Sequence, residues 1–529
     1  MSSVAADQRP AERLVRFGSG WRRWPLAAGA GAAIASGLVL LPIAFLVVQA
    51  QRSGWGQVES LLLRHTVVTL LWNTLRLAAA CTLLCAVVGV GAAWCVQRTT
   101  LPLRGVWAVV LVLPLGIPDF VVGFGWVSLD HGLHGYFAAV MVMTLSLYPL
   151  VYLPVATALA NVDSSLEEAA RSLGLGRWRT FWRVTLRQVR PAVLGGCLLV
   201  TLALLAEYGA FEITQYRTFT VEIFTEFQLG FNAVGACVLS LVLVLIGLVV
   251  LAGELTLTGS SRGTRSGSGV ARPATRATLG GLTLPVLALL TALAALALGV
   301  PLYALVYWMV KGGSTTLPAA SLAGALGRTA EFSAAAAVLA SALAIPLASL
   351  SVRHRNRVTL MIERLAFVPM ALPGLVVALG LVSFTVRYAL SLYQGTLELV
   401  VAYAILFLPL ALVAVRAAIA QAPARLEEVG RSLGAGQFAV WRRVTLPLIA
   451  PGLRAAFALV FISSATELTA TLVLHPTGVN TLATQFWSYS SNFAYGAAAP
   501  YAALMVAISA VPAYLLSRRT TVRPEGGAP

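Results

Sequence analysis

The chain has 529 residues, 58% of them hydrophobic and 11% charged, with a mean hydropathy of +0.84 and a formal net charge of +17. Soluble domains carry roughly 25% charged residues, so this composition excludes an ordinary soluble fold and predicts an all-α polytopic membrane protein. The basic residues sit in short clusters between long apolar runs, which is the pattern of cytoplasmic membrane loops; no nucleic-acid partner is expected.

Residues 1–24 are basic, with Arg9, Arg13, Arg16, Arg22 and Arg23 ahead of an apolar run of about 25 residues. A signal peptide has an apolar region of about 7–15 residues, so this run is expected to stay as an uncleaved first helix. Runs long enough to span a bilayer fall at roughly 25–50, 68–96, 105–127, 134–160, 191–213 and 232–254, then at 283–310, 326–350, 365–386, 395–420, 450–473 and 494–517. About twelve transmembrane helices are therefore predicted, in a first unit of six (25–257) and a second of six (283–517). Arginines crowd alternate loops, from Arg98 and Arg104 through Arg353, Arg355, Arg357 and Arg364 to Arg518, Arg519 and Arg523, and are sparse in the loops between. That asymmetry predicts cytoplasmic termini, including the tail 518–529. Residues 258–282, rich in Gly, Ser and Arg, read as a flexible cytoplasmic linker. The five cysteines (Cys81, Cys85, Cys95, Cys197, Cys237) lie inside apolar runs at spacings that fit no zinc pattern, and are expected to be packing residues.

The two units are copies. Leu166 to Pro191, LEEAARSLGLGRWRTFWRVTLRQVRP, returns as Leu426 to Pro451, LEEVGRSLGAGQFAVWRRVTLPLIAP, at a constant offset of 260. Ser164 and Ser165 before Glu167 and Glu168 predict a helix start. Ala169, Ala170 and Leu173 would form a small apolar face. Gly174 and Gly176 permit a sharp turn, and Trp178, Phe181, Trp182 and Val184 would open a second amphipathic helix. An interfacial anchor needs amphipathicity but not this order of Glu, Gly and Leu. A second match, LPLGIPDFVVGFG (113–125) with VPMALPGLVVALG (368–380), has an offset of 255. Its paired prolines and glycines predict either a kinked, closely packed helix or a break.

The pattern Glu-Ala-Ala, three residues, Gly, nine residues, an aliphatic, one residue, Leu-Pro resembles the signature loop of membrane permease subunits of ATP-binding-cassette (ABC) importers. The first copy (loop 163–190) fits it with Glu168, Ala169, Ala170, Gly174, Val184 and Leu186, and has Arg187 in place of Pro. The second (loop 423–450) fits with Glu428, Gly434, Val444, Leu446 and Pro447, and has Val429-Gly430 in place of two alanines. The resemblance implies that each loop is a coupling helix seated in a groove of an ATPase subunit, so Glu168, Ala169, Ala170, Gly174, Leu186, Glu428, Gly434, Leu446 and Pro447 are the expected coupling residues. Lys311 is the sole lysine and Gly312 follows it, so the chain has no P-loop. ATP and Mg²⁺ are expected on a separate ATPase, two copies for two loops, with no cofactor on this chain.

Two acids are predicted inside apolar runs: Glu207 in the fifth and Glu467 in the eleventh, 260 apart and each 16 residues past Pro191 or Pro451. Intramembrane carboxylates are costly and mark pathways by default, though a hydrogen bond between helices can also hold one. Asp119 is a third candidate, with Gly374 at the matching position. The segments 204–227 (LLAEYGAFEITQYRTFTVEIFTEF) and 465–487 (ATELTATLVLHPTGVNTLATQFW) resemble those of the fused permeases of ferric-iron importers. That implies a bacterial inner-membrane location and cargo delivered by an extracytoplasmic binding protein, docking at the outer loops 214–231 and 474–493. Fe³⁺ is a hard cation suited to oxygen ligands, so Glu207 and Glu467 are expected to hold the metal in transit. Related permeases carry thiamine, polyamines or phosphonates. Twelve spans also suit an ATP-independent secondary transporter, which would leave the duplicated loop without a role. The histidines His65, His131, His134, His354 and His475 are too scattered for an enzyme site.

Overall fold

The computed structural model describes residues 24–52, 54–162, 165–259, 276–312, 319–354 and 356–521. The basic N-terminus up to residue 23, linker residues 260–275, Ser164, Arg355 and the tail from residue 522 lie outside this range. The first unit comprises α1 (Trp24–Arg52), α2 (Trp55–Leu62), α3 (His65–Arg98), α4 (Arg104–Val110), α5 (Asp119–Leu129), α6 (Gly135–Ala160), α7 (Ser165–Ser172), α8 (Arg177–Thr180), α9 (Leu186–Ala206), α10 (Gly209–Ile213), α11 (Phe219–Gln228) and α12 (Ala233–Gly259). The second comprises α13 (Thr283–Ala294), α14 (Val300–Lys311), α15 (Ala319–Arg353), α16 (Arg357–Ala366), α17 (Gly374–Tyr388), α18 (Thr396–Gln421), α19 (Ala424–Ser432), α20 (Gln437–Val440), α21 (Leu446–Ala465), α22 (Thr469–Leu474), α23 (Leu482–Ser491) and α24 (Tyr495–Thr521).

Among the described residues, 9 helices are long and apolar enough to cross a membrane, or up to 11 if each of two bent pairs forms one span. The twelfth predicted run falls on α24 (Tyr495–Thr521), whose stretch Tyr495–Ala510 is apolar. The predicted runs at 105–127 and 365–386 are each broken. The breaks fall at the paired prolines. Arg104–Gly116 meets Asp119–Leu129 at 88°, and Arg357–Ala371 meets Gly374–Tyr388 at 106°. Pro118 and Pro373 stand at the N-caps of α5 and α17, where a missing N–H costs nothing and the preceding residue is driven into an extended conformation.

The two sequence repeats are not two separate bundles. One core joins α3, α5, α6 and α9 to α13, α14, α23 and α24; the other joins α15–α18, α21 and α22 to α1, α11 and α12. Each unit thus lends its first and last spans to the other. The exchange is fixed by one duplicated contact. A methyl on Gly380 of α17 would lie 2.5 Å from the Cα of Pro42 in α1, and one on Gly125 of α5 would lie 2.8 Å from the Cα of Pro301 in α14. Gly125 and Gly380 are the 255-offset pair of the proline-rich match, so what that glycine permits is backbone-to-backbone approach of the exchanged helix. Phe45 adds edge contacts to Phe384 and Tyr388, with centroids 5.0 and 5.5 Å apart.

The linker is also shorter than predicted. Helix α12 runs to Gly259, and on return Ala277 pairs with the end of α3. Its N–H donates to the Arg98 carbonyl (2.9 Å) and its carbonyl accepts from the Thr100 N–H (3.1 Å).

Candidate functional site

The repeated loops form the same object twice. In each, a short helix (α7 or α19) ends in a left-handed glycine, Gly174 at φ 84° or Gly434 at φ 83°. Gly174 N–H donates to Arg171 and Leu175 N–H to the Ala170 carbonyl; Gly434 and Ala435 repeat this to Arg431 and Gly430. This is a glycine-closed helix end; a Cβ at either glycine would meet nothing within 4 Å, so what disfavours a β-branched residue there is the left-handed backbone itself. Gly176 and Gly436 do not take positive φ, so one glycine per loop makes the turn. A π-helical turn follows in both copies, Phe181–Thr185 and Trp441–Thr445, before α9 and α21 begin.

Ala170 is buried, but Leu173 is 83% exposed and its counterpart Leu433 81%. The small apolar face expected of Ala169, Ala170 and Leu173 is thus largely exposed, as are Leu166, Leu426, Val429 and Phe438. Glu168, Ala169, Gly174, Glu428, Gly434 and Pro447 are exposed; Leu186 and Leu446 are half-buried. Where the second copy departs from the pattern, a methyl on Gly430 would stand 3.3 Å from Val440, a position held by Thr180 in the first copy. Sequence reasoning passed over Glu167 and Glu427, which are the loop acids that face inward.

The two acids are not inside continuous helices. Helix α9 stops at Ala206, leaving Glu207 extended, and α21 stops at Ala465. Each carboxylate caps the short helix that follows: Glu207 Oε1 accepts from the Ala210 N–H (2.8 Å), and Glu467 Oε1 from the Ala470 N–H (3.0 Å). Each glutamate carbonyl accepts a threonine hydroxyl, Thr220 at 2.6 Å and Thr471 at 2.5 Å. The two breaks meet between the units, because a methyl on Gly209 would lie 2.8 Å from both Leu468 and Phe120. Asp119 accepts a hydrogen bond from Ser146, and both Asp119 and Glu467 are near enough to act on Glu207 electrostatically. Among the described residues no group of three or more His, Cys, Asp or Glu side chains could hold a metal ion.

Beside the breaks, aromatic rings from the two units pack together. Tyr208, 2% exposed, stacks between Phe224 of its own unit (4.5 Å) and Trp487 of the other (5.4 Å), and Phe486 lies against Phe120 and Phe124. The segments 214–231 and 474–493 therefore fold back into the protein through α11 and α23 and do not display their aromatics. The exceptions are Phe231 (89% exposed) and Phe493 (73%), equivalent tips held at φ 49° and 58°.

Interlocked helical units, a turn-closed loop in each, and a shut central break define a membrane permease. The chain belongs to the family of binding-protein-dependent transport system inner membrane components, whose family model matches residues 86–254 and again 340–518. It is accordingly a multi-pass inner-membrane permease of an ABC importer, and its family implies an ATPase and a substrate-binding protein as partners. It is 38% identical over 483 residues to the Fe(3+)-transport system permease protein FbpB 2 of Haemophilus influenzae, covering 90% of this chain and 95% of that one. The molybdenum transport system permease protein ModB of Escherichia coli is 31% identical over 189 residues, 31% of this chain and 82% of its own. The sulfate transport system permease protein CysW of the same species is 26% identical over 252 residues, 44% and 86% respectively.

Proposed function

We propose that this chain carries ferric iron from an extracytoplasmic binding protein into the cytoplasm. Two copies of an ATPase dock on loops 163–190 and 423–450, and the end of the bundle bearing those loops faces the cytoplasm. The observation that carries the reading is the 38% identity to an iron permease over nearly the whole of both chains; the molybdenum and sulfate relatives cover less than half of this one. The site chemistry agrees. Glu207, Glu467 and Asp119 lie at the closed break, which suits a cation better than an oxyanion. The binding protein sits at the far end, where Phe231 and Phe493 protrude, and hydrolysis opens the stack of Tyr208, Phe224 and Trp487.

The test is ATP hydrolysis by the chain reconstituted with its ATPase and binding protein, with and without ferric ion. Iron-loaded binding protein is expected to stimulate hydrolysis, and the double change Gly174→Val, Gly434→Val to lower that stimulation by about tenfold or more, since a β-branched residue at positive φ unmakes the turn. Stimulation by thiamine or a polyamine alone would replace the cargo. Transport indifferent to ATP would replace the importer by a secondary transporter.

The glutamates separate by chemistry. Glu207→Gln and Glu467→Gln keep a capping oxygen and are expected to leave the thermal unfolding midpoint in place while reducing iron-stimulated hydrolysis. Alanine at either position loses the cap and is expected to cost about 1 kcal/mol of stability. Normal iron transport by the double glutamine variant would assign both acids a structural role alone.

A further inference from the structure

Each loop is pinned to the end of a long helix of its own unit. Glu167, 8% exposed at its side chain, lies 3.3 Å from Arg98 at the end of α3 and accepts the Thr185 hydroxyl at 2.7 Å from the last residue of the π turn. Among the described residues none of the Arg98 guanidinium nitrogens has a hydrogen-bond partner, so the ion pair with Glu167 is what offsets its burial. In the second unit Glu427 pairs with Arg353 at the end of α15 and accepts Thr445 at 2.8 Å. Arg98 and Arg353 are 255 apart, and both glutamates and both threonines are 260 apart. The whole device is duplicated.

The other end of each long helix is pinned too. Thr74 of α3 accepts the Phe219 N–H (3.2 Å) at the start of α11, and Thr329 of α15 accepts the Leu482 N–H (2.9 Å) at the start of α23. These threonines are again 255 apart. Helix α11 carries Phe224 and α23 carries Trp487, the two rings that close over Tyr208. From Thr74 to Arg98 is 24 residues, about 36 Å of continuous helix at about 1.5 Å per residue. A rigid element attached at both ends is the physical requirement for carrying a displacement over such a distance.

We propose that α3 and α15 are rods that carry movement of the two loops to the ring stack, with Glu167 and Glu427 as the positioning residues at the loop end and Thr74 and Thr329 at the far end. A loop held only by its own chain would yield locally when pushed. A loop locked to α3 and α9, or to α15 and α21, moves those helices with it. The first attachment carries an extra strap, the pairing of Ala277 with the Arg98 carbonyl; the second is more open, its pair 13% and 14% exposed. The proposal rests on the importer reading, because it needs the ATPase as the source of force.

The test is a double-mutant cycle in the second unit, on the reconstituted complex, reading cargo transported per ATP hydrolysed. Glu427→Gln keeps the shape and an acceptor for Thr445 but removes the ion pair. Thr329→Val removes the acceptor of Leu482. Each is expected to lower transport per ATP by between about 5- and 150-fold, the range of coupling between sites in proteins, and the double variant to be no worse than the more severe single one. Sites this far apart otherwise act independently, so losses that multiply would overturn the rod, as would unchanged transport per ATP. If Glu427→Gln does not assemble with the ATPase, Arg353→Gln breaks the same pair from α15 and is read the same way. A wild-type chain that binds no ATPase would overturn the importer reading itself. An assembled wild-type complex with indifferent variants would overturn only the rod.

Discussion

Replacing Gly380 by valine is expected to abolish the folded protein. The added Cβ would lie 2.5 Å from both the Cα and the carbonyl oxygen of Pro42 and 2.6 Å from its Cβ. None of these atoms can rotate away, because two belong to backbone and the third to a proline ring. Overpacking a core that can adjust costs about 1–3 kcal/mol; here the helices must separate, and α1 loses much of its seat against α15 and α17. A loss of about 4 kcal/mol or more is expected, against a total stability of about 5–15 kcal/mol for a typical protein. The measurement is the yield of monodisperse protein and its thermal unfolding midpoint in detergent. Gly37→Ala is the control on the same helix, since nothing lies within 4 Å of its Cβ position. Gly125→Val should fail in the same way through Pro301. A stable Gly380→Val variant would mean that α1 does not dock on α17.

The second large effect concerns the chain between the units. A cut within residues 260–275 is expected to leave a functional complex when both pieces are made together, and to leave no stable product when either is made alone. Each core takes helices from both sides of the cut, so a lone piece exposes the seats of α1, α12, α13, α14 or α24 to lipid and lacks the partners of its own exchanged spans. A yield of either lone piece lower by about tenfold or more is expected, since marginal stability leaves little reserve for lost contacts. Co-purification of untagged 1–265 with tagged 266–529 tests this directly. Accumulation of one piece alone in monodisperse form would show that the exchange is dispensable.

Why the exchange was not legible in the sequence follows from what an offset can say. Matching Gly125 to Gly380 shows that two positions are alike, but not whether Pro42 meets the glycine of its own unit or that of the other. Helix α1 offers both choices an apolar surface, and composition does not decide between them. Other features were legible because one residue carries each of them: Gly174 and Gly434 as turns, Pro118 and Pro373 as breaks, and the order of the loop itself. Glu207 was read inside a span because the apolar run continues to Ile213. The helix ends earlier because its carboxylate and carbonyl are taken by Ala210 and Thr220, contacts that no local pattern announces. The roles of Glu167 and Glu427 are not legible because the family pattern names the residue after each, and because the glutamates repeat at an offset of 260 while Arg98 and Arg353 repeat at 255.

The Pro42–Gly380 contact also bears on how the protein is made. Helix α1 leaves the ribosome first, but the glycine that receives it follows roughly 340 residues later, about 17–70 s at a synthesis rate of about 5–20 residues per second. During that interval α1 waits in the bilayer without its seat. Its contacts are among the most distant in sequence that the chain makes, and contacts of this kind slow folding because the intervening loop must be closed first. Final locking must therefore follow the synthesis of α17, and a ribosome stalled before residue 374 leaves a nascent chain whose first helix is not docked on α17.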